Sequence, residues 1–84
     1  MTEQVTLLQV KTTGENFNKA ALIKGLNLIA KPVEVYSATG EFDYIVKYNI
    51  DSNKLTDVKE KIFEFKKLPF VANTETTLLW NEIV

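Results

Sequence analysis

The 84-residue chain contains no cysteine, no histidine and no arginine, and each absence removes a kind of chemistry. Without cysteine there is neither a thiol nucleophile nor a disulfide framework, and without histidine the commonest general base is lost together with the usual zinc and copper ligand. A resident metal or other cofactor is therefore not expected. All ten basic residues are lysines, spread along the sequence. The planar guanidinium fork that reads guanine edges and clamps phosphates is missing, which argues against direct nucleic-acid recognition. Nothing near Met1 has the charged-then-apolar pattern of a signal peptide, and no apolar run approaches the roughly 20 residues of a membrane span. A cytoplasmic protein with no membrane partner is the expectation.

What remains is the composition of an ordinary globular domain. Hydrophobic residues make up 45% and charged residues 25%, and ten lysines against eleven acids leave a net charge of −1; with no low-complexity tract, this is not a disordered chain. At this length residues 1–84 form one domain that buries roughly 60 to 65% of its unfolded surface, so stability is marginal and self-association helps.

Residues 4–12, Q-V-T-L-L-Q-V-K-T, are short, rich in β-branched side chains and stopped by Thr13-Gly14, which predicts a first strand. From Phe17 to Ala30, Leu22, Leu26 and Ile29 recur at helical spacing, giving an amphipathic helix opened near Asn16 and ended by Lys31-Pro32. Val33 to Ala38 is a second strand. Phe42 to Ile50 has the clearest period of two in the chain, with Phe42, Tyr44, Val46, Tyr48 and Ile50 on one face and Asp43, Lys47 and Asn49 on the other. A second helix, capped by Asp51 or Ser52, runs to about Lys67 with the stripe Leu55, Val58, Ile62 and Phe65 facing the sheet. Val71 to Trp80 is the fourth strand.

The order βαββαβ predicts an α+β, ferredoxin-like fold, a four-stranded antiparallel sheet with both helices on one face. Strands one and four bring apolar residues to both faces, Leu7 beside Leu8 and Leu79 beside Leu78 and Trp80. The open face therefore calls for a second subunit, with two sheets packed face to face.

The stretch with most to say about function is A-T-G-E-F-D-Y, residues 38–44. Gly40 takes positive φ without a Cβ clash and turns the second strand into the third. Turn N–H groups suit a carboxylate and Asp43 suits an ammonium. The plainer alternative is a turn whose aspartate satisfies loop N–H groups.

From Val33 onward, V-E-V-Y-S-A-T-G-E-F-D-Y-I-V-K-Y, then a helix, then P-F-V-A-N-T-E-T-T-L-L, the chain resembles the effector-binding (RAM) domain of the Lrp/AsnC transcription regulators. Thr39, Gly40, Phe42, Asp43, Val71, Thr74 and Thr76 carry that likeness, while the first strand and helix match mainly in pattern. The resemblance implies a dimeric α/β barrel, dimers assembled into larger rings, and an amino acid or similar small effector held at Thr39, Gly40, Glu41, Phe42, Asp43, Thr74 and Thr76. Full-length members begin with a helix-turn-helix domain, whereas here the first strand follows Met1 within a few residues, so a stand-alone RAM domain is expected. Its role would be amino-acid sensing or transcriptional regulation, in one case through mixed assembly with a full-length regulator. Two alternatives remain. One is a cofactor-free enzyme of the dimeric α/β barrel class, with Tyr36, Tyr44, Tyr48, Trp80 and Glu34 lining a pocket, against which the absence of His, Cys and Arg weighs. The other is a purely structural oligomerisation module.

Overall fold

The computed structural model describes residues 3–14 and 17–79. Four strands, β1 (Glu3–Thr12), β2 (Glu34–Ser37), β3 (Tyr44–Asp51) and β4 (Val71–Leu79), alternate with helices α1 (Lys19–Ile29) and α2 (Leu55–Phe65) in the order βαββαβ. The sheet order is β2-β3-β1-β4 with every pairing antiparallel. This is the ferredoxin-like α+β architecture.

The even-numbered side chains of β1 and β3 meet the helices. Leu8, Val10, Val46, Tyr48 and Ile50 form one side of the core, Leu22, Leu26 and Ile29 of α1 and Val58, Ile62 and Phe65 of α2 the other. Tyr48 is fully buried, and its hydroxyl donates to the Leu26 carbonyl at 2.9 Å. That carbonyl lies in the last turn of α1, where its own helical donor, the Ala30 N–H, is 3.4 Å away, so β3 supplies it a second, shorter bond. Among the described residues, no helix covers the other face of the sheet. Direct pairing puts Leu7, Lys47 and Thr77 side by side there, and likewise Gln9, Ile45 and Glu75. Leu79, on this face, is 44% exposed.

Several element boundaries differ from the sequence expectation. α1 is capped by Asn18, whose Oδ1 accepts the Ala20 and Ala21 N–H groups at 2.9 and 3.2 Å; Asn16 lies outside the described residues. α2 is preceded by one 3-10 turn, Ser52–Lys54, capped by Asp51. It stops at Phe65 because the N–H groups of Lys67 and Leu68 bond three residues back, to Glu64 and Phe65, tightening the exit before Pro69. β3 begins at Tyr44 instead of Phe42. Residues 39–43 are spent on the turn, so the strict alternation does not extend through them. Trp80 lies outside the described residues.

Candidate functional site

Gly40 has φ +108°, a conformation that side-chain-bearing residues rarely adopt, and it closes the β2–β3 connection as its spacing predicts. The hairpin is fastened by the Ala38 N–H donating to the Asp43 carbonyl at 2.8 Å, and to β1 by the Asp43 N–H donating to the Val10 carbonyl at 2.9 Å. Between these bonds, the N–H groups of Thr39, Gly40, Glu41 and Phe42 make no hydrogen bond within the described residues. Three of these residues, Thr39, Glu41 and Phe42, line a concavity of about 330 Å³ on the helix-free face of the sheet, together with Gln9, Ala38, Ile45 and Glu75.

The residues singled out from the sequence divide into three groups. Thr39, Glu41 and Phe42 line the concavity, and Gly40 shapes its edge. Phe42 is buried but lies outside the helix-side core cluster, so it does not share a face with Tyr44 and Val46 as strand alternation predicts. The turn conformation of residues 39–43 resets the alternation.

Asp43 engages a backbone N–H, as in the plainer of its two sequence readings, but on β1 instead of within the loop. Its Oδ2 accepts the Thr12 N–H at 2.8 Å and the Thr12 hydroxyl at 3.0 Å. β1 runs two residues beyond its last β3 pair, Val10–Tyr44, and the Asp43 carboxylate gives the Thr12 N–H an acceptor where the backbone ladder has run out. The Thr12 N–H foremost, then its hydroxyl, hold the Asp43 carboxyl below the usual carboxylate range; partial desolvation opposes them and the Lys11 charge adds to them. The β1–β4 register also shifts between Lys11 and Thr12. Asp43 thus braces the corner at which β1 leaves β3 and shifts register against β4.

Thr74 and Thr76 pair with Val10 and Leu8, which puts them on the helix side of the sheet. Thr76 lines a separate slot there with Thr6, Val58 and Ile62. Within one chain they do not join the turn; the residue count between elements places them on β4, but only the register decides the face.

Comparison with known proteins reveals no matching family model and no matching curated protein. Solved structures do match over almost the whole chain. TTHA0845 from Thermus thermophilus superposes with a TM-score of 0.70 at 25% identity, covering 96% of this chain and 98% of that one. The transcriptional regulator NMB0573 from Neisseria meningitidis, solved as its L-Met complex, gives 0.72 at 13% identity, with 96% and 52% covered. An AsnC family transcriptional regulator from Agrobacterium tumefaciens gives 0.65 at 13% identity, with 99% and 54% covered. This is the fold carried by Lrp/AsnC regulators. The chain spans about half the length of those two regulators and nearly all of the small Thermus protein.

The sheet also bears on the enzyme alternative. Tyr44 stacks on Phe17, with ring centroids 5.8 Å apart, and Tyr48 is sealed in the core; both are on the helix side. Tyr36 and Glu34 pair with Ile45 and Lys47 on the opposite face, where Glu34 forms an ion pair with Lys47 at 3.5 Å. Among the described residues these groups do not converge on one pocket. Conversely, Gln9, Ile45 and Glu75 belong to the concavity and were not singled out from the sequence. Gln9 and Ile45 stand at odd-numbered positions opposite the buried set of their strands, and Glu75 is the one acid of the fourth strand, a signal that becomes usable only when the three strands are set in register.

Proposed function

We propose that this chain is a non-catalytic regulatory module that binds an amino acid or similar small zwitterion at the concavity beside the Gly40 turn. The observation that carries the reading is that Thr39, Glu41 and Phe42, whose N–H groups make no hydrogen bond among the described residues, line one concavity together with the acidic residue Glu75. N–H groups at a turn hold a carboxylate, carboxylates hold an ammonium, and a zwitterion needs both at a separation of a few ångströms. Phe42 and Ile45 supply apolar surface for an aliphatic or thioether side chain. The fold shared with a regulator solved as an L-Met complex supports the class of ligand. Asp43 acts in this scheme as the brace of the turn. Because the concavity lies on the helix-free face, we further propose that the module works as a homodimer or larger ring, in which Leu7, Ile45 and Leu79 are covered and neighbouring subunits complete the site.

The test is a thermal-shift screen over the proteinogenic amino acids, followed by calorimetric titration of any that stabilise. A ligand present at about 100 times its Kd adds about 2.7 kcal/mol to the native state. Stabilisation by one or a few amino acids, lost in a Glu75→Lys variant, is the expected result. An intact oligomer that no amino acid stabilises would leave a purely structural module in its place.

A further inference from the structure

The lysines that are spread along the sequence are segregated in the fold. Eight of the ten fall in the helical segments 19–31 and 52–67, against three acids, Asp57, Glu60 and Glu64. The rest of the chain holds two lysines and eight acids. In a chain of net charge −1 the helical segments are therefore net cationic.

That cationic layer contains an apolar groove of about 370 Å³ between α1 and α2. Ala21, Gly25, Leu28, Phe65 and Leu68 give it its apolar surface, and Lys24 of α1 and Lys61 of α2 are its cationic members. Gly25 makes the close approach possible: a Cβ there would stand 3.0 Å from the Phe65 ring and 3.2 Å from a Leu68 methyl. Glu64 also borders the groove, but its charge is met by Lys67 at 3.3 Å. Lys24 and Lys61 have no ion-pair partner among the described residues. Leu28 is 68% exposed although it lies beside apolar neighbours.

We propose that this groove docks an acidic amphipathic helix of another protein, whose large apolar side chains enter between α1 and α2 while its flanking carboxylates meet Lys24 and Lys61. Charge complementarity selects an acidic partner, and the apolar floor selects one with a hydrophobic stripe. Duplex DNA satisfies the first requirement and has nothing to place against Leu28, Phe65 and Leu68. An anionic bilayer engages apolar groups that project; of the two strongly exposed apolar side chains in the helical layer, Leu28 and Phe63, only Leu28 borders the concave groove, while Phe63 lies outside it with the Lys67 ammonium 5.1 Å from its ring centre. A second copy of the chain does not fit among the described elements, because α1 carries no acid and the apolar stripe of α2 is already buried in the core. The groove is on the face of the molecule opposite the turn-side concavity, so docking there leaves that site open.

The experiment titrates the full chain into a fluorescein-labelled helical peptide of about sixteen residues with leucines at helical spacing and glutamates on both flanks, read by fluorescence anisotropy. Saturable binding that weakens as salt rises is expected. A Lys24→Glu, Lys61→Glu double variant should lose roughly tenfold or more in affinity, and Leu28→Asp a comparable amount, with melting temperatures unchanged because all three side chains lie on the surface. Amide shifts on peptide addition should centre on Ala21, Gly25 and Leu68. Equal affinity for a scrambled peptide of the same composition, undiminished binding by the variants, or shifts centred elsewhere overturns the proposal. So does tighter, lysine-dependent binding to phosphatidylserine vesicles or to a DNA duplex than to the peptide, which would assign the surface to lipid or nucleic acid.

Discussion

Asp43 and Thr12, thirty-one positions apart, are joined by two hydrogen bonds to a single carboxylate oxygen, at 2.8 Å from the Thr12 N–H and 3.0 Å from its hydroxyl. Both bonds favour the ionised carboxylate, so the Asp43 pKa is lower in the folded chain than in the unfolded one. The stability it contributes is present above the unfolded value near 3.9 and is lost as pH falls through the lower folded value. Asp43→Asn should therefore lower the melting temperature at neutral pH and flatten the acid limb of the melting curve below about pH 4. Thr12→Val keeps the N–H donor and removes the hydroxyl, so its effect should be the smaller. An Asp43→Asn melting profile parallel to that of the unchanged chain across pH 2 to 7 would show that the pair contributes nothing.

At the alkaline end the corresponding group is Tyr48. Burial pushes its phenol well above the ordinary tyrosine range, since the phenolate has no solvation in the core. Folding thus favours the protonated form: the contribution is complete below the unfolded pKa near 10 and is lost as pH rises from there toward the folded value. Tyr48→Phe should cost about 0.5 to 1.5 kcal/mol at neutral pH through the lost bond to Leu26, and should make the alkaline limb shallower. Denaturant melts at pH 7 and pH 11 separate the two effects. The cost stays small because the Leu26 carbonyl still accepts the Ala30 N–H at 3.4 Å.

Gly25→Ala sets two effects of opposite sign against each other. Alanine gains about 1 kcal/mol of helix propensity over glycine. Against this, the new Cβ stands 3.0 Å from the buried Phe65 ring and 3.2 Å from Leu68, and crowding of this kind costs about 1 to 3 kcal/mol. The expected net effect is a destabilisation of about 1 kcal/mol in a urea melt, rising steeply for Gly25→Val. A gain in stability for the alanine variant would mean that the Phe65 ring tips into the adjoining groove at little cost.

These residues also show which parts of the molecule were legible in the sequence. The six elements, their order and their inward-facing stripes follow from periodicity and from the breaks at Gly14, Pro32, Gly40 and Pro69, because the hydrophobic face of each element is a local pattern. The turn at Gly40 was equally legible, since positive φ is a demand that few other residues meet. The partners of the functional side chains were not. Asp43 lies just past the turn in sequence, but its acceptor role is fixed by the end of β1, far away in the chain. Thr74 and Thr76 are separated from the turn by the sheet itself, a fact carried by the β1–β4 register and by no local signal. The concentration of lysines in the helical layer was hidden for the same reason: spread in sequence, they come together only when both helices lie on one face.

The helix-free face makes the last prediction. Leu7 stands there between Lys47 of β3 and Thr77 of β4, with Ile45 and Leu79 on the same face. Apolar side chains set on an open sheet face lose favourable burial in an isolated chain, and recovering it is what drives two such sheets together. Leu7→Lys replaces the apolar contact with a charge and sets it directly beside Lys47, so in a two-fold assembly both copies would carry the repulsion. The monomer's own core is on the other side of the sheet and is untouched by the change. Sedimentation should therefore give an oligomer for the unchanged chain and a folded monomer for the variant, with far-ultraviolet circular dichroism alike for the two. The variant should also melt lower, and its melting temperature should no longer rise with protein concentration. A folded monomer of the unchanged chain at micromolar concentration would remove the assembly from the proposed function.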